Sequence, residues 1–143
     1  MENTYHECAN DLITVCTLRL GGIFGPGRDL LERAKKLSGK TLPGTGNEPT
    51  NHIHLDDIVS AILFCLDKRL SGTFDLVNEE HRSRKQFYSS LSSLLKLPPP
   101  SFDETKPPEH GSTEIITSEK IQQAGFTFKH PLCNVLDHKN TSH

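Results

Sequence analysis

One stretch of the sequence combines imidazoles and a carboxylate at a spacing that could do chemistry. In His52-x-His54-x-Asp56, alternating strand positions put both imidazoles on one face. Two such rings and a carboxylate resemble the ligands of a catalytic zinc, which keeps one coordination position open. Because position 57 is Asp rather than a further His, the simpler interpretation is that Asp56-Asp57 caps a helix. We retain capping as the prediction and keep a zinc-dependent hydrolase built on His52, His54 and Asp56 as a remote alternative.

A second stretch is rich in glycine and lies between a predicted strand and a predicted helix. Its pattern is Gly21-Gly22-x-x-Gly25-x-Gly27. A loop that cradles phosphates would occupy this position, but the spacing differs from that of such loops, and Pro26 removes one amide donor. The sequence therefore predicts a tight turn rather than a phosphate site.

Two further groups of reactive side chains favour structural interpretations. Arg19 lies between Leu18 and Leu20 in an apolar strand, so we expect a buried guanidinium held by a carboxylate, a phosphate or backbone carbonyls, with a structural partner favoured. Residues 5–8 are Tyr-His-Glu-Cys, but no predicted strand or helix fixes their geometry, so an activated nucleophile is not expected there.

The elements that must position these residues follow from apolar periodicity and turn signals. The order is strand, helix, helix, strand, helix, with a last small helix and an extended return. The predicted strands cover 12–20 and 73–78, with a short alternating stretch at 52–55. Four helices are predicted. The first begins after Asp29 and ends before Gly39, and the second runs from Asp56 to about Leu66. The third begins after Ser83 and ends before Leu97, and the fourth covers 118–124. Residues 40–51 and 101–111 are expected to be a loop and an exposed linker because they are rich in Pro and Gly or in Pro and acidic residues.

Composition limits the class of protein. The 143 residues, 34% hydrophobic and 24% charged, suffice for one domain, predicted as a single partial domain over 1–143 with flexible ends at 1–11 and 137–143. A net charge of -2 with positive and negative residues interspersed argues against a surface that binds nucleic acid.

The N-terminus carries no secretory signal, so a cytoplasmic location with reduced thiols is expected. The longest apolar run, 58–66, is too short to cross a membrane, and the predicted helix that contains it has an apolar face broad enough to imply deep burial.

The order of elements is typical of an α/β fold, but two strong strands cannot form a sheet that covers so many apolar helical faces. We therefore expect part of the fold to be missing.

Three stretches and the pieces that follow them resemble the extended short-chain dehydrogenase/reductase family, also described as NAD-dependent epimerase/dehydratase. The stretches are Leu18-Arg19-Leu20-Gly21-Gly22-Ile23-Phe24-Gly25-Pro26-Gly27-Arg28, Leu42-Pro43-Gly44-x-Gly46 and Asn51-His52-Ile53-His54-Leu55-Asp56-Asp57-Ile58. Residues 73–78, 83–97 and 118–131 are similar to the family's late strand, the helix after it and its closing passage. The sequence also resembles bacterial proteins described as NAD(P)-dependent oxidoreductases.

This resemblance implies the C-terminal part of a Rossmann-like, doubly wound parallel sheet with the small substrate-binding lobe, and with the N-terminal cofactor half missing. The family's glycine-rich cofactor loop is not found, and neither is its Tyr-x-x-x-Lys pair, since Tyr5 is followed four residues later by Ala9 and Tyr88 by Ser92. Without that acid/base pair, the chain is not expected to catalyse hydride transfer alone.

The resemblance also implies a set of site residues. Leu20, Gly21 and Gly22 would lie beside the nicotinamide of NAD or NADP, and Arg28, Asn51 and His52 would face a small-molecule substrate. Members that act on nucleotide sugars usually have Asn in place of Gly22 and Arg in place of Thr50, so the resemblance favours the reductase-like branch.

The function predicted is a substrate-side half of an NAD(P)-dependent oxidoreductase or epimerase, which binds no cofactor tightly alone. The alternative is a non-catalytic interaction module that completes a separately encoded N-terminal half through exposed strand edges.

Overall fold

Short parallel strands alternate with helices in the computed structural model, which describes residues 2–109 and 113–136. The strands are β1 (Cys16–Leu20), β2 (Gly22–Phe24), β3 (Thr41–Pro43), β4 (His52–His54), β5 (Gly72–Leu76) and β6 (Ser101–Asp103). The helices are α1 (Glu2–Glu7), α2 (Leu30–Leu37), α3 (Leu55–Asp67), α4 (Arg84–Leu95), α5 (Glu119–Gln123) and α6 (Cys133–Leu136).

All three strand pairs among the described residues are parallel: β1 with β5, β2 with β4, and β3 with β6. Parallel pairing requires a crossover between the paired strands, and helices supply it here. The predicted α/β class is confirmed.

Two apolar clusters form the core, one on each side of β4. The first joins β2, α2, α4 and α6 around Phe24 and Phe87, and the second joins β4, β5, α3 and α5 around Ile53 and Leu76. Successive side chains of a strand alternate between faces. Ile53 therefore enters the second cluster, while the rings of His52 and His54 both contact Phe24 of the first. The prediction that these two imidazoles share a face is confirmed.

Local capping signals locate two helix starts correctly. The Asp29 carboxylate accepts a hydrogen bond from the Leu31 amide at 2.7 Å. Ser83 forms a capping box with Gln86. Gly39 has a φ of 67° just after α2, a conformation that glycine adopts at low cost.

The predicted cap of α3 by Asp56 and Asp57 is wrong. The helix begins one residue earlier, and His54 is its N-cap, with Nδ1 accepting the Asp56 amide hydrogen at 3.0 Å. An imidazole nitrogen can satisfy a free amide of the first turn as a carboxylate does. Both aspartates consequently lie inside the first turn.

The predicted loop at 40–51 and linker at 101–111 each contain a strand. β3 and β6 pair with each other, with Leu42 opposite Phe102. Local composition favours irregular backbone, but a partner strand distant in the sequence supplies the pairing.

The first residues form a helix, contrary to the expectation that no element orders them. His6 of α1 lies 3.2 Å from the Thr73 hydroxyl oxygen. Arg19 is exposed rather than buried and forms a two-pronged ion pair with Glu2 of α1. The expected carboxylate partner is therefore present at the surface. Flexibility of 1–11 stays a prediction, and 137–143 lie outside the described residues.

Helix α3 is buried on one side only, so the expectation of deep burial fails for the other side. Its buried side chains are Asp57, Ile58, Ala61 and Cys65. Its exposed apolar side chains are Val59, Ile62, Leu63 and Leu66, of which Leu63 is 61% and Leu66 69% exposed. Among residues 2–109 and 113–136, no helix has both the length and the apolar character that a membrane span requires.

Candidate functional site

A cavity of about 390 Å³ lies beside the C-terminal end of β1 and the start of β4. Five of the six residues that the resemblance predicts for cofactor or substrate line it: Leu20, Gly21, Gly22, Asn51 and His52. The remaining lining residues are Arg33, Glu48, Pro49, Thr50, Arg84, Phe87, Tyr88 and Ile116. The structure thus brings together residues that are about 30 positions apart in the sequence.

The sixth predicted residue, Arg28, lies apart from this cavity. It is exposed in the turn after β2, where its backbone pairs with Gly25. The glycine-rich stretch of which it is part forms a turn in which Gly25 and Gly27 have positive φ, as the sequence predicts.

Gly21 and Gly22 have different steric surroundings. A Cβ on Gly21 would lie 2.6 Å from the backbone oxygen of Asn51 and 2.8 Å from Val77, so no side chain fits. A Cβ on Gly22 would lie 3.1 Å from the His52 ring. Gly21 is therefore required by packing, whereas a side chain at Gly22 would press against the His52 ring.

The Asn51 side chain, at the cavity edge, forms two hydrogen bonds with a distant segment of the backbone. Its amide nitrogen donates to the Glu114 carbonyl at 3.1 Å, and its side-chain oxygen accepts from the Ile116 amide at 3.1 Å. Both ends of the side chain are therefore engaged by the segment that precedes α5. The same segment supplies Ile116 to the cavity wall.

His52 is a buried, neutral imidazole. Only 9% of the residue is exposed, its ring stacks on Phe87 with centroids 4.7 Å apart, and Nδ1 has no hydrogen-bond partner among the described residues. Burial, together with the positive charge of Arg33, lowers the pKa of His52 to about 4. The ring is consequently uncharged at neutral pH.

Arg33, Arg84 and Tyr88 are cavity residues that the sequence does not reveal. Arg33 is on the polar side of α2. Arg84 and Tyr88 are on α4, whose helical period predicts packing positions but not which side chains reach a cavity. The sequence contains no separate signal for them, because their convergence depends on how α2 and α4 pack together.

Thr50 is buried and occupied within the fold. Its hydroxyl donates to the Arg82 carbonyl at 2.9 Å. It therefore has neither the charge nor the free donor to bind a diphosphate, in agreement with the departure seen in the sequence.

A second cluster contains His54, Asp56 and His130, whose potential ligand atoms lie within 4.8 Å of one another. The structure thus replaces His52 of the predicted zinc set with His130. The rings of His54 and His130 are nearly parallel, at 13° with centroids 4.4 Å apart, and Nδ1 of His54 already accepts the Asp56 amide hydrogen. Because nitrogen lone pairs lie in the ring planes, stacked imidazoles do not converge on one ion. The zinc-hydrolase alternative receives no support from this geometry.

Among sequence relatives, protein YeeZ of Escherichia coli K12 is 32% identical to this chain over 133 residues, which is 92% of this chain and 46% of YeeZ. A 3-diazoavenalumate denitrifying reductase from a Streptomyces species is 31% identical over 88 residues, which is 58% of this chain and 29% of that protein. The chain therefore spans less than half the length of these curated relatives. No family model matches it.

Several solved structures have an architecture similar to that of this chain. MoeE5, in complex with UDP-glucose and NAD, matches with a TM-score of 0.70 and 19% identity, over 87% of this chain and 45% of MoeE5. The fold is that of a partial Rossmann-like domain. A dTDP-4-dehydrorhamnose reductase and a UDP-glucose 4-epimerase share it over a similar fraction of their chains.

Proposed function

We propose that this chain forms the substrate-side part of an NAD(P)-dependent reductase- or epimerase-like protein. The observation that carries the proposal is the single cavity lined by Leu20, Gly21, Gly22, Asn51 and His52. A concave site with an apolar wall and a few convergent polar groups is the usual form of a small-molecule site.

The reductase-like branch is favoured over enzymes that act on nucleotide sugars. Gly22 supplies no side chain to the cavity, and Thr50 is bonded to the Arg82 carbonyl. In the family members that act on nucleotide sugars, which the sequence resembles, an arginine in place of Thr50 would bind the diphosphate. The Streptomyces relative, a reductase by its name, supports the same direction.

Binding of NAD or NADP would be shared with residues outside this chain. Leu20, Gly21 and Gly22 can form one wall beside the nicotinamide, because Gly22 leaves its side of the cavity open. The sequence has no Tyr-x-x-x-Lys pair to move a proton, so the chain by itself would hold substrate rather than complete a hydride transfer. The redox chemistry belongs to the bound nicotinamide.

The surface of the chain supports a complementary half as the partner. Among the described residues β1 pairs with β5 alone, which leaves its other edge free for a further strand. Next to it, a shallow apolar cavity is lined by β1 and α3 residues that include Leu18, Ile62 and Leu66. The exposed apolar side of α3 extends this surface. We propose that the remaining half of a Rossmann-like fold, in the same chain or a separate one, covers it.

The test is a chimera in which this chain replaces the matching 133-residue region of YeeZ. NADH and NADPH binding are measured by cofactor fluorescence for the chimera, for this chain alone and for unmodified YeeZ. We expect the chimera to bind one cofactor at least 100-fold more tightly than the chain alone. Equal affinity of the chain alone and the chimera for the cofactor would refute the proposal that residues outside this chain share in cofactor binding.

The second candidate, a non-catalytic interaction module, rests on the same exposed surface. It predicts assembly with the complementary half, measured by sedimentation, without any cofactor binding by the chimera. Assembly together with cofactor binding favours the reductase-like function.

A further inference from the structure

We propose that the cavity recognises a small planar molecule with a single negative charge, such as an aromatic carboxylate, through Arg33 at its edge. This inference rests on the proposed function, since it names the substrate class of the same cavity. It follows from the charges, the walls and the unpartnered polar groups of the site.

The charged groups of the cavity leave one positive charge without a partner. Arg84 lies 3.7 Å from Glu48 and donates to the Pro43 carbonyl at 2.9 Å. Glu48 also accepts hydrogen bonds from the backbone amides of Thr45 and Gly46. These groups neutralise each other within the fold.

Arg33 has no such counter-charge. Its side chain makes no hydrogen bond or ion pair with any residue in the described ranges 2–109 and 113–136. His52 contributes no charge, because burial first and Arg33 second lower its pKa to about 4. The net charge offered to a ligand is therefore that of one guanidinium, whose two-pronged geometry matches a carboxylate.

The walls of the cavity favour a flat ligand. Phe87 stacks on His52 and meets Tyr88 edge to face, with the Phe87 and Tyr88 centroids 5.2 Å apart. Leu20 and Ile116 add apolar surface. Aromatic walls of this kind pack against planar rings with offset or edge contacts.

Two further polar groups lack hydrogen-bond partners among the described residues. The Tyr88 hydroxyl makes no hydrogen bond to a described residue, and Tyr88 lines the cavity. Nδ1 of His52 is buried and has no partner in the described ranges. Buried polar groups are seldom left unsatisfied, so the imidazole is a candidate contact for a ligand or water, and the Tyr88 hydroxyl on the wall is another. A sugar diphosphate fits poorly, because its two charges would face one free guanidinium.

The test uses trans-cinnamate, a planar aromatic monocarboxylate, and its neutral amide as probes on the full chain. Binding is followed through the backbone amide signals of Gly22 and Arg33 in a nitrogen-edited NMR titration without nicotinamide. We expect cinnamate to bind at least tenfold more tightly than cinnamamide. Inorganic phosphate should compete poorly because it has no ring to pack on Phe87.

Three variants assign the effect. Arg33→Gln should raise the dissociation constant of cinnamate at least tenfold and abolish the preference over the amide, whereas Arg33→Lys should retain part of that preference. Tyr88→Phe removes only a hydroxyl and should weaken binding a few-fold. Arg69→Gln is the matched control, because Arg69 is an exposed arginine that does not line the cavity, and its variant should bind as the parent does.

Specific outcomes overturn the proposal. They are the absence of cinnamate binding, equal affinity for the acid and the amide, phosphate competing as well as cinnamate, or an unchanged dissociation constant in Arg33→Gln. Failure of the YeeZ chimera to bind a nicotinamide, with cinnamate binding intact, would reject the proposed function while the anion site stands. Nicotinamide binding by the chimera together with no binding of cinnamate would reject only the substrate class.

Discussion

Asp57 and His130 are joined twice, although 73 positions separate them in the sequence. The Asp57 carboxylate accepts the His130 amide hydrogen at 3.0 Å, and the other carboxylate oxygen lies 3.1 Å from Nδ1 of the same imidazole. It also accepts the Lys129 amide hydrogen at 3.0 Å. Asp57 is 0% exposed, so the first turn of α3 fixes the strand-like return of the chain before α6.

Replacement of Asp57 by Asn should therefore destabilise the fold strongly. The amide would present an N–H group to at least one of the donors that the carboxylate now satisfies, and hydrogen bonds to a buried charge contribute more than neutral ones. We expect the free energy of unfolding to fall by about 3 kcal/mol in urea titrations. Asp67→Asn, at the exposed end of the same helix, is the control and should change it by less than about 0.5 kcal/mol. Similar losses in both variants would contradict the assigned role.

His52 should make stability depend on pH on the acid side of neutrality. Its pKa is about 4 in the folded chain, compared with 6.5 for an ordinary histidine. Below pH 6.5 the unfolded state takes up a proton that the folded state does not, so the free energy of unfolding falls as the pH decreases from 6.5 to 4. The total loss is about 3 kcal/mol.

The measurement compares urea unfolding of the parent and of His52→Phe at pH 7, 5.5 and 4.5. Phe keeps the stack on Phe87 but cannot titrate, so the free energy of unfolding of the parent should fall relative to that of the variant as the pH decreases in that window. Parallel decreases in both proteins would show that His52 is not buried in its neutral form.

Gly21 and Gly22 should respond differently to alanine. A Cβ at Gly21 meets the Asn51 carbonyl oxygen at 2.6 Å, and the backbone must move to accommodate it, at a cost of about 2 kcal/mol. At Gly22 the tightest contact of the new Cβ is with the His52 ring at 3.1 Å, and the Asn51 oxygen lies at an ordinary 3.5 Å, so Gly22→Ala should cost less than about 1 kcal/mol and shift the His52 ring signals. Thermal unfolding and NMR report the two effects, and a larger loss for Gly22→Ala would reverse this assignment.

Cys65 should resist alkylation. Burial, together with contact with Cys16, raises its pKa to about 11, so roughly one thiol in a thousand is ionised at pH 8. With iodoacetamide, the exposed Cys8 should be labelled first and Cys65 only slowly, as measured by peptide mass spectrometry. Unfolding in urea should equalise the two rates. Equal rates in the folded chain would mean that α3 does not shield this thiol.

The amino-acid sequence determined those features that depend on residues within one helical turn of each other. Asp29 and Ser83 start α2 and α4 because their side chains reach amides two or three positions away. The glycine turn after β1 and the α/β order follow from equally local preferences. The resemblance further indicated which residues surround a cavity, and five of those six share one.

Only the tertiary structure decided which side chains meet across long separations. It paired β3 with β6, made His54 the N-cap of α3, buried Asp57 against His130 and brought Arg33 and His52 to one cavity. It also left one side of α3 uncovered, where periodicity alone predicted burial. Local patterns specify that a face is apolar or that a group can donate or accept. The packing of segments that are 40 to 70 positions apart chooses the partner.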